Sequence, residues 1–214
     1  MSEKEFFGDW FPLINLNTLT RVLNRLGNER NFTPKHEDVF KVFTKCDYNN
    51  LKVVFLGMDP YPQKGVATGI AFGNKAGTAS SNYSPSLRVI YDSLIEYSQD
   101  LPHGFDCTLE SWCSQGVFML NSSLTVGINN PGSHFLIWNS FISELLNNIS
   151  ISKPNTIFVL FGNQAKSFIP FLNNCKYFTC VHPSYCARNN VLLPNIFSEI
   201  DNILKERNLF IQWI

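Results

Sequence analysis

Four short apolar runs in this chain are each followed at once by residues able to do chemistry. Gly57-Met58-Asp59-Pro60-Tyr61-Pro62 follows the first and Asn121-Ser122-Ser123 the second. Gly162-Asn163-Gln164 follows the third and His182-Pro183-Ser184 the fourth. A carboxylate and an imidazole are groups for proton transfer and for stabilising charge. A primary amide both donates and accepts at one edge. Singly, each has an ordinary structural explanation: Asp59-Pro60 as a turn, Asn121 as a side-chain cap, His182 as a satisfied loop histidine, and Phe72 as core. At successive strand ends they form a constellation.

The elements that must position them are legible as well. Lys52-Leu56, Val117-Leu120, Thr156-Phe161 and Lys176-Val181 are rich in β-branched and aromatic residues with little alternation. Strands buried on both faces of a parallel sheet read this way. Helical spacing lies between and after them. Leu87, Ile90, Tyr91, Leu94 and Ile95 make one stripe within Pro85-Glu96, and Phe141, Leu145, Leu146 and Ile149 make another. Phe197-Leu204 follows the last run. The pattern predicts an α/β fold, a single three-layer domain over residues 1–214 with a central, mainly parallel four-stranded sheet flanked by helices. Residues 1–50, with Leu13, Leu16, Leu19, Val22, Leu23 and Leu26 at helical spacing, belong to the same domain and carry no assignable chemistry. Ligands of open α/β sheets bind outside the carboxyl ends of the strands, where the constellation falls.

The chain has 214 residues, with 17 Lys+Arg balancing 17 Asp+Glu. Charged residues are 16% and aromatics 14%, which excludes a disordered chain. No apolar run approaches the roughly 18 residues of a membrane span. Met1-Trp10 has no secretory pattern, so a cytoplasmic, non-secreted and membrane-free protein is expected; a monomer is the separate expectation. Zero net charge argues against holding a polyanion mainly by bulk electrostatics. Cys46, Cys107, Cys113, Cys175, Cys180 and Cys186 form no C-x-x-C pair and read as reduced thiols, with no metal site.

Val53-Val54-Phe55-Leu56-Gly57-Met58-Asp59-Pro60-Tyr61-Pro62, followed by Gly65 and Gly69-Ile70-Ala71-Phe72, resembles the water-activating loop of family 1 uracil-DNA glycosylases. Ser84-Pro85-Ser86-Leu87 with Ile90-Tyr91 resembles their proline-rich loop and the helix after it. Trp112, Gln115-Gly116-Val117-Phe118-Met119-Leu120-Asn121 and Leu124-Thr125-Val126 resemble the uracil-specificity strand. Gly132-Ser133-His134 with Trp138 is similar to the Gly-Ser loop, and His182-Pro183-Ser184 to the start of the DNA-intercalation loop. Five motifs in order, from about Leu51 onward, carry the resemblance.

The resemblance implies monofunctional hydrolysis of the N-glycosidic bond of uracil in single- and double-stranded DNA. A base must leave the stack before its glycosidic bond is reachable. Phe72 would stack on the flipped base, Asn121 would read uracil's N3–H and O4, and Tyr61 would exclude the thymine methyl. Backbone N–H groups around Met58 and Asp59, with His182, would stabilise the uracil anion. Asp59 would stabilise the cationic sugar and orient water. Ser86, Ser133, His134 and Ser184 would contact DNA, and no cofactor is implied. A proteinaceous inhibitor of uracil glycosylases is the other partner implied. With balanced charge, duplex affinity should be modest and its salt slope shallow.

Three positions depart from the family pattern. Met58 stands where Gln is usual, which matters little if the contact is through backbone. Pro62 stands where His is usual, which predicts slower turnover. The loop Tyr185-Cys186-Ala187-Arg188-Asn189-Asn190 lacks the usual leucine wedge, leaving Tyr185 or Arg188 to fill the gap in DNA. The first motifs also resemble the single-strand-selective monofunctional glycosylases, which have Asn for the acid and Gly for the tyrosine; Asp59 and Tyr61 favour family 1. Other readings are a glycosylase of broader base range and a weakly active DNA-binding accessory protein. Retention of Asp59, Phe72, Asn121 and His182 argues against the latter.

Overall fold

A computed structural model describes residues 2–98 and 104–214. Its central sheet has four parallel strands: β1 (Val53–Gly57), β2 (Val117–Asn121), β3 (Ile157–Phe161) and β4 (Lys176–Cys180). They lie in the order β2-β1-β3-β4. Gly57 pairs with Asn121 and Phe161 with Cys180, so the carboxyl ends finish almost level along one rim. Every residue of β1, β2 and β3 is buried, as their unbroken apolar runs require.

The fourth strand corrects the expectation. β4 is a sheet edge, with Lys176, Tyr177 and Thr179 exposed and only Cys180 buried. It pairs with β3 alone, as β2 at the other edge pairs with β1 alone; β2 is wholly buried, so the exposure of β4 reflects how little of the chain packs over it. Its aromatic and β-branched composition suits a strand but says nothing of how many neighbours cover it.

Helices cover the sheet: α1 (Leu16–Leu26), α2 (Pro85–Ser98), α3 (Phe135–Ser152), α4 (Gly162–Lys166), α5 (Pro183–Asn189) and α6 (Ile196–Glu206). In α2 the buried stripe is Leu87, Ile90 and Leu94 with Ser86, Val89 and Ser93, while Tyr91 and Ile95 are half-buried. In α1, Leu19, Val22 and Leu26 face inward and Leu16 and Leu23 are exposed. Asn15 caps α1 through its side chain, which accepts from the N–H groups of Asn17 and Thr18.

The aromatic load goes into one core. Trp10 stacks on Phe118 of β2 with ring centroids 4.2 Å apart, so the N-terminal segment packs directly on the sheet. Trp112, Trp138 and Trp213 are buried with their indole N–H groups bonded to Trp213 O, Thr125 Oγ1 and Asp201 Oδ1. Each ring therefore buries its area without stranding a donor. All six cysteines are free thiols. Among the described residues, no helix is long and apolar enough to cross a membrane.

Candidate active site

The strand ends open into a cleft of about 540 Å³. Met58, Asp59 and Tyr61 line it from the loop after β1, Phe72 from the next loop, Asn121 from the tip of β2 and His182 from the end of β4. Ser86, Ser184 and Arg188 line its mouth. Residues separated by up to 130 positions in sequence thus share one cavity because parallel strands end side by side.

Gly57 makes the close packing between two of these residues feasible. A β-carbon there would lie 2.5 Å from Asn121 Oδ1 and 2.9 Å from Phe72 Cζ. Only a residue with no side chain lets the amide and the ring converge over the β1 backbone. Asn121 is 8% exposed, and among the described residues no protein group pairs with its amide. Its donor and acceptor are both available to a bound base.

Phe72 is held in an unusual backbone conformation, with φ +65. Such a conformation costs on the order of 1 kcal/mol and persists only when surrounding contacts impose it. Here Ala71 N–H donates to Met119 O of β2 at 3.0 Å, and the Tyr61 hydroxyl donates to Phe72 O at 2.9 Å. The ring packs edge-on against Phe161, centroids 5.4 Å apart, and lies 5.8 Å from the His182 ring. Tyr61 is thereby fixed at both ends, by its backbone in the β1 loop and by its hydroxyl. Burial raises the pKa of that hydroxyl, so it stays a donor.

Asp59 is half-buried, and its Oδ2 accepts the Gly132 N–H at 2.6 Å. Burial raises its pKa from the ordinary carboxylate value, partly offset by the N–H groups of Gly132 and of Asp59 itself. Gly132 has φ +79, and the side chain of Met58 packs on it. The sequence placed Gly132 on a DNA-facing loop; nothing in its spacing reveals that it orients the carboxylate.

His182 caps α5. Its Nδ1 accepts the Ser184 N–H at 3.2 Å and lies 2.8 Å from Ser184 Oγ. A backbone N–H can only donate, so the neutral ring must carry its proton on Nε2. Burial, with the positive charge of Arg188, lowers the His182 pKa to about 4. The ring is neutral at pH 7 and offers one N–H. Gly162, φ +82, backs onto it, where a β-carbon would sit 3.0 Å from His182 Cβ.

The DNA-facing assignments divide. Ser86 lies buried in the first turn of α2 at the cleft mouth. Ser133 is exposed outside the cleft, and its Oγ accepts from Gly127 N–H at 2.9 Å, leaving its own hydrogen free. Ser184 lines the cleft, but its hydroxyl is turned back on His182 and supports the ring. Tyr185 is 49% exposed just outside the cleft, and Arg188 follows it one turn later on α5.

His134 is corrected. It is 3% exposed, with Nδ1 2.8 Å from Thr125 Oγ1 and Nε2 3.9 Å from Glu29. Trp138 Nε1 donates to the same Thr125 hydroxyl at 2.7 Å. A ring enclosed on both nitrogens braces the loop that carries Gly132 and has no face left for DNA. The Gly132-Ser133-His134 motif carries no sign of which way its imidazole turns.

Known proteins resemble this chain. The uracil DNA glycosylase superfamily model matches residues 43–205. A uracil-DNA glycosylase of Campylobacter lari is 34% identical over 206 residues, covering 94% of this chain and 88% of that protein. Uracil-DNA glycosylase 1 of Bacteroides fragilis is 38% identical over 188 residues, covering 85% and 80%. A point variant of mimivirus uracil-DNA glycosylase, solved in complex with UGI, superposes with a TM-score of 0.75 at 26% identity, covering 95% of this chain and 82% of that one. The matched segment spans every side chain that lines the cleft, and on that ground the chain belongs to the uracil DNA glycosylase superfamily.

Proposed function

We propose that this protein is a uracil-DNA glycosylase that hydrolyses the N-glycosidic bond of flipped-out deoxyuridine and leaves an abasic site. The observation that carries the reading is a neutral His182 with its proton on Nε2, facing one cleft with Asp59 and the unpaired amide of Asn121. A base entering the cleft stacks on Phe72 and meets the Asn121 amide at its edge. With its oxygen toward N3–H and its nitrogen toward O4, the amide accepts from and donates to uracil, a pattern that cytosine does not match. Tyr61, immobilised by its bond to Phe72 O, closes the side where thymine carries a methyl group.

As the C1′–N1 bond breaks, the bonding electrons pass to uracil and positive charge grows on the sugar. His182 Nε2–H donates to the developing uracil oxyanion without giving up its proton. Ionised Asp59 faces the cation and takes a proton from water as its oxygen bonds to C1′. The proton taken by Asp59 passes through solvent to the uracil anion, so the carboxylate is restored and the products are free uracil and an abasic sugar. No lysine lines the cleft to form an imine with that sugar, so the enzyme is monofunctional.

The DNA partner is held locally, through the Ser86 helix end, Ser133, Tyr185 and Arg188, by a monomer. A protein inhibitor of the UGI kind is a further partner, supported by the complex solved for the mimivirus relative. Incubation with oligonucleotides carrying uracil, thymine or 5-hydroxymethyluracil tests the reading. Abasic sites should arise at uracil alone. Excision of 5-hydroxymethyluracil at a comparable rate would make it a glycosylase of broader range, and no excision would refute the enzyme.

A further inference from the structure

Directly after β3, α4 carries Gln164, which lies behind the cleft lining and takes no part in base recognition. Its Nε2 donates to Ser122 Oγ at 2.8 Å and approaches Met58 O at 3.4 Å. Ser122, fully buried, donates its own hydroxyl to Met58 O at 2.6 Å. Ser123 N–H reaches the same carbonyl at 3.1 Å. One carbonyl oxygen is thus gripped from the sheet side by donors from two other strand ends.

A trans peptide fixes its N–H antiparallel to its C=O. Gripping Met58 O on the sheet side therefore turns the N–H of Asp59 to the opposite side, toward the cleft. That N–H also lies against its own carboxylate, which lines the cleft. The chain from Gln164 through the Ser122 hydroxyl to Met58 O polarises the peptide further, since linked hydrogen bonds strengthen one another. A fixed, polarised N–H in the cleft that His182 also lines suits the accumulation of negative charge on a leaving base.

We propose that Gln164 and Ser122 are positioning residues for the reaction, holding the Met58–Asp59 peptide with its N–H toward the leaving uracil. The proposal rests on uracil excision being the activity. Neither residue touches the base; both act through the peptide. Their loss should weaken anion stabilisation while leaving stacking on Phe72 and reading by Asn121 in place.

The test is single-turnover excision of uracil and of 5-fluorouracil from single-stranded oligonucleotides. 5-Fluorouracil departs as the more stable anion and so needs less help. Ser122→Ala should slow uracil excision about tenfold to a hundredfold, below the loss of a full oxyanion donor, and slow 5-fluorouracil excision clearly less. KM should change less than about twofold, because ground-state binding is untouched. Ser122→Thr keeps the hydroxyl and should restore the rate, and Gln164→Ala should shift the two bases in the same direction by a smaller factor. Equal slowing on both bases by Ser122→Ala, or no slowing, would overturn the proposal, and the ratio is unaffected by any loss of folded protein. Wild-type protein that excises neither base would refute the glycosylase reading itself, a distinct result.

Discussion

Asp59 and Gly132 lie 73 positions apart and are joined by a 2.6 Å hydrogen bond from the glycine N–H to the carboxylate. That bond couples the loop after β1 to the turn before α3, a turn braced in its next residues by Ser133 and His134. The reactive carboxylate is thus oriented by a second loop, and a buried histidine two residues from Gly132 serves that loop.

Gly57 should tolerate no side chain. Gly57→Ala places a methyl group 2.5 Å from Asn121 Oδ1 and 2.9 Å from Phe72 Cζ, so amide and ring must separate. A displacement near 1 Å at a reacting site costs roughly a hundredfold in rate. Single-turnover uracil excision by the variant should fall by about that factor, with a smaller change in thermal midpoint.

The low pKa of His182 has a consequence for stability. Its value of about 4 lies below the ordinary 6.5, so between these the unfolded chain binds the extra proton. Stability from this group is fully present above pH 6.5 and is lost as pH falls toward 4. The linkage is on the order of 3 kcal/mol. Denaturant titrations from pH 7 to 4 should show His182→Gln losing less stability than wild type by up to about that amount. Parallel curves would place the imidazole in a wetter site.

Tyr61 separates two roles. Tyr61→Phe loses the bond to Phe72 O, worth about 1 kcal/mol, but keeps the ring and should still reject thymine. Tyr61→Ala opens the wall and should release thymine from ordinary DNA. Thymine release is measured on duplexes with A·T pairs and with G·T mismatches. Continued rejection by the alanine variant would move the steric wall elsewhere.

Much of this site was legible in the chain because parallel strands end together. Asp59, Asn121 and His182 each follow an apolar run, and the runs proved to be β1, β2 and β4. The resemblance supplied their roles. Burial at an edge was not legible, since Tyr177 and Phe178 look like core residues whether or not other elements pack over the strand; of the two edge strands, β2 is buried and β4 is not. Nor was the direction of a side chain: His134 and Ser184 sit in DNA-facing motifs, yet one is enclosed and the other turns its hydroxyl to His182. Three-dimensional partners such as Gly132 for Asp59, or Ser122 for Met58, leave no periodic trace.

Tyr185 stands exposed at the rim, where a wedge would enter the duplex. Tyr185→Ala should slow excision from duplex DNA several-fold more than from single strands, because only the duplex has to be opened. The check is the ratio of the two rates for wild type and variant. An unchanged ratio, with Arg188→Ala changing it instead, would assign the wedge to the arginine.

The central claim is that the cleft excises uracil through Asp59 and His182. Single-turnover release of uracil from a single-stranded oligonucleotide at pH 7.5 tests it most directly, with wild type, Asp59→Asn and His182→Ala side by side. Wild type should generate abasic sites; loss of the carboxylate should slow this by about 10²- to 10⁴-fold and loss of the imidazole donor by about 10²- to 10³-fold. Variants that match the wild-type rate, or a wild type that releases no uracil, would contradict it.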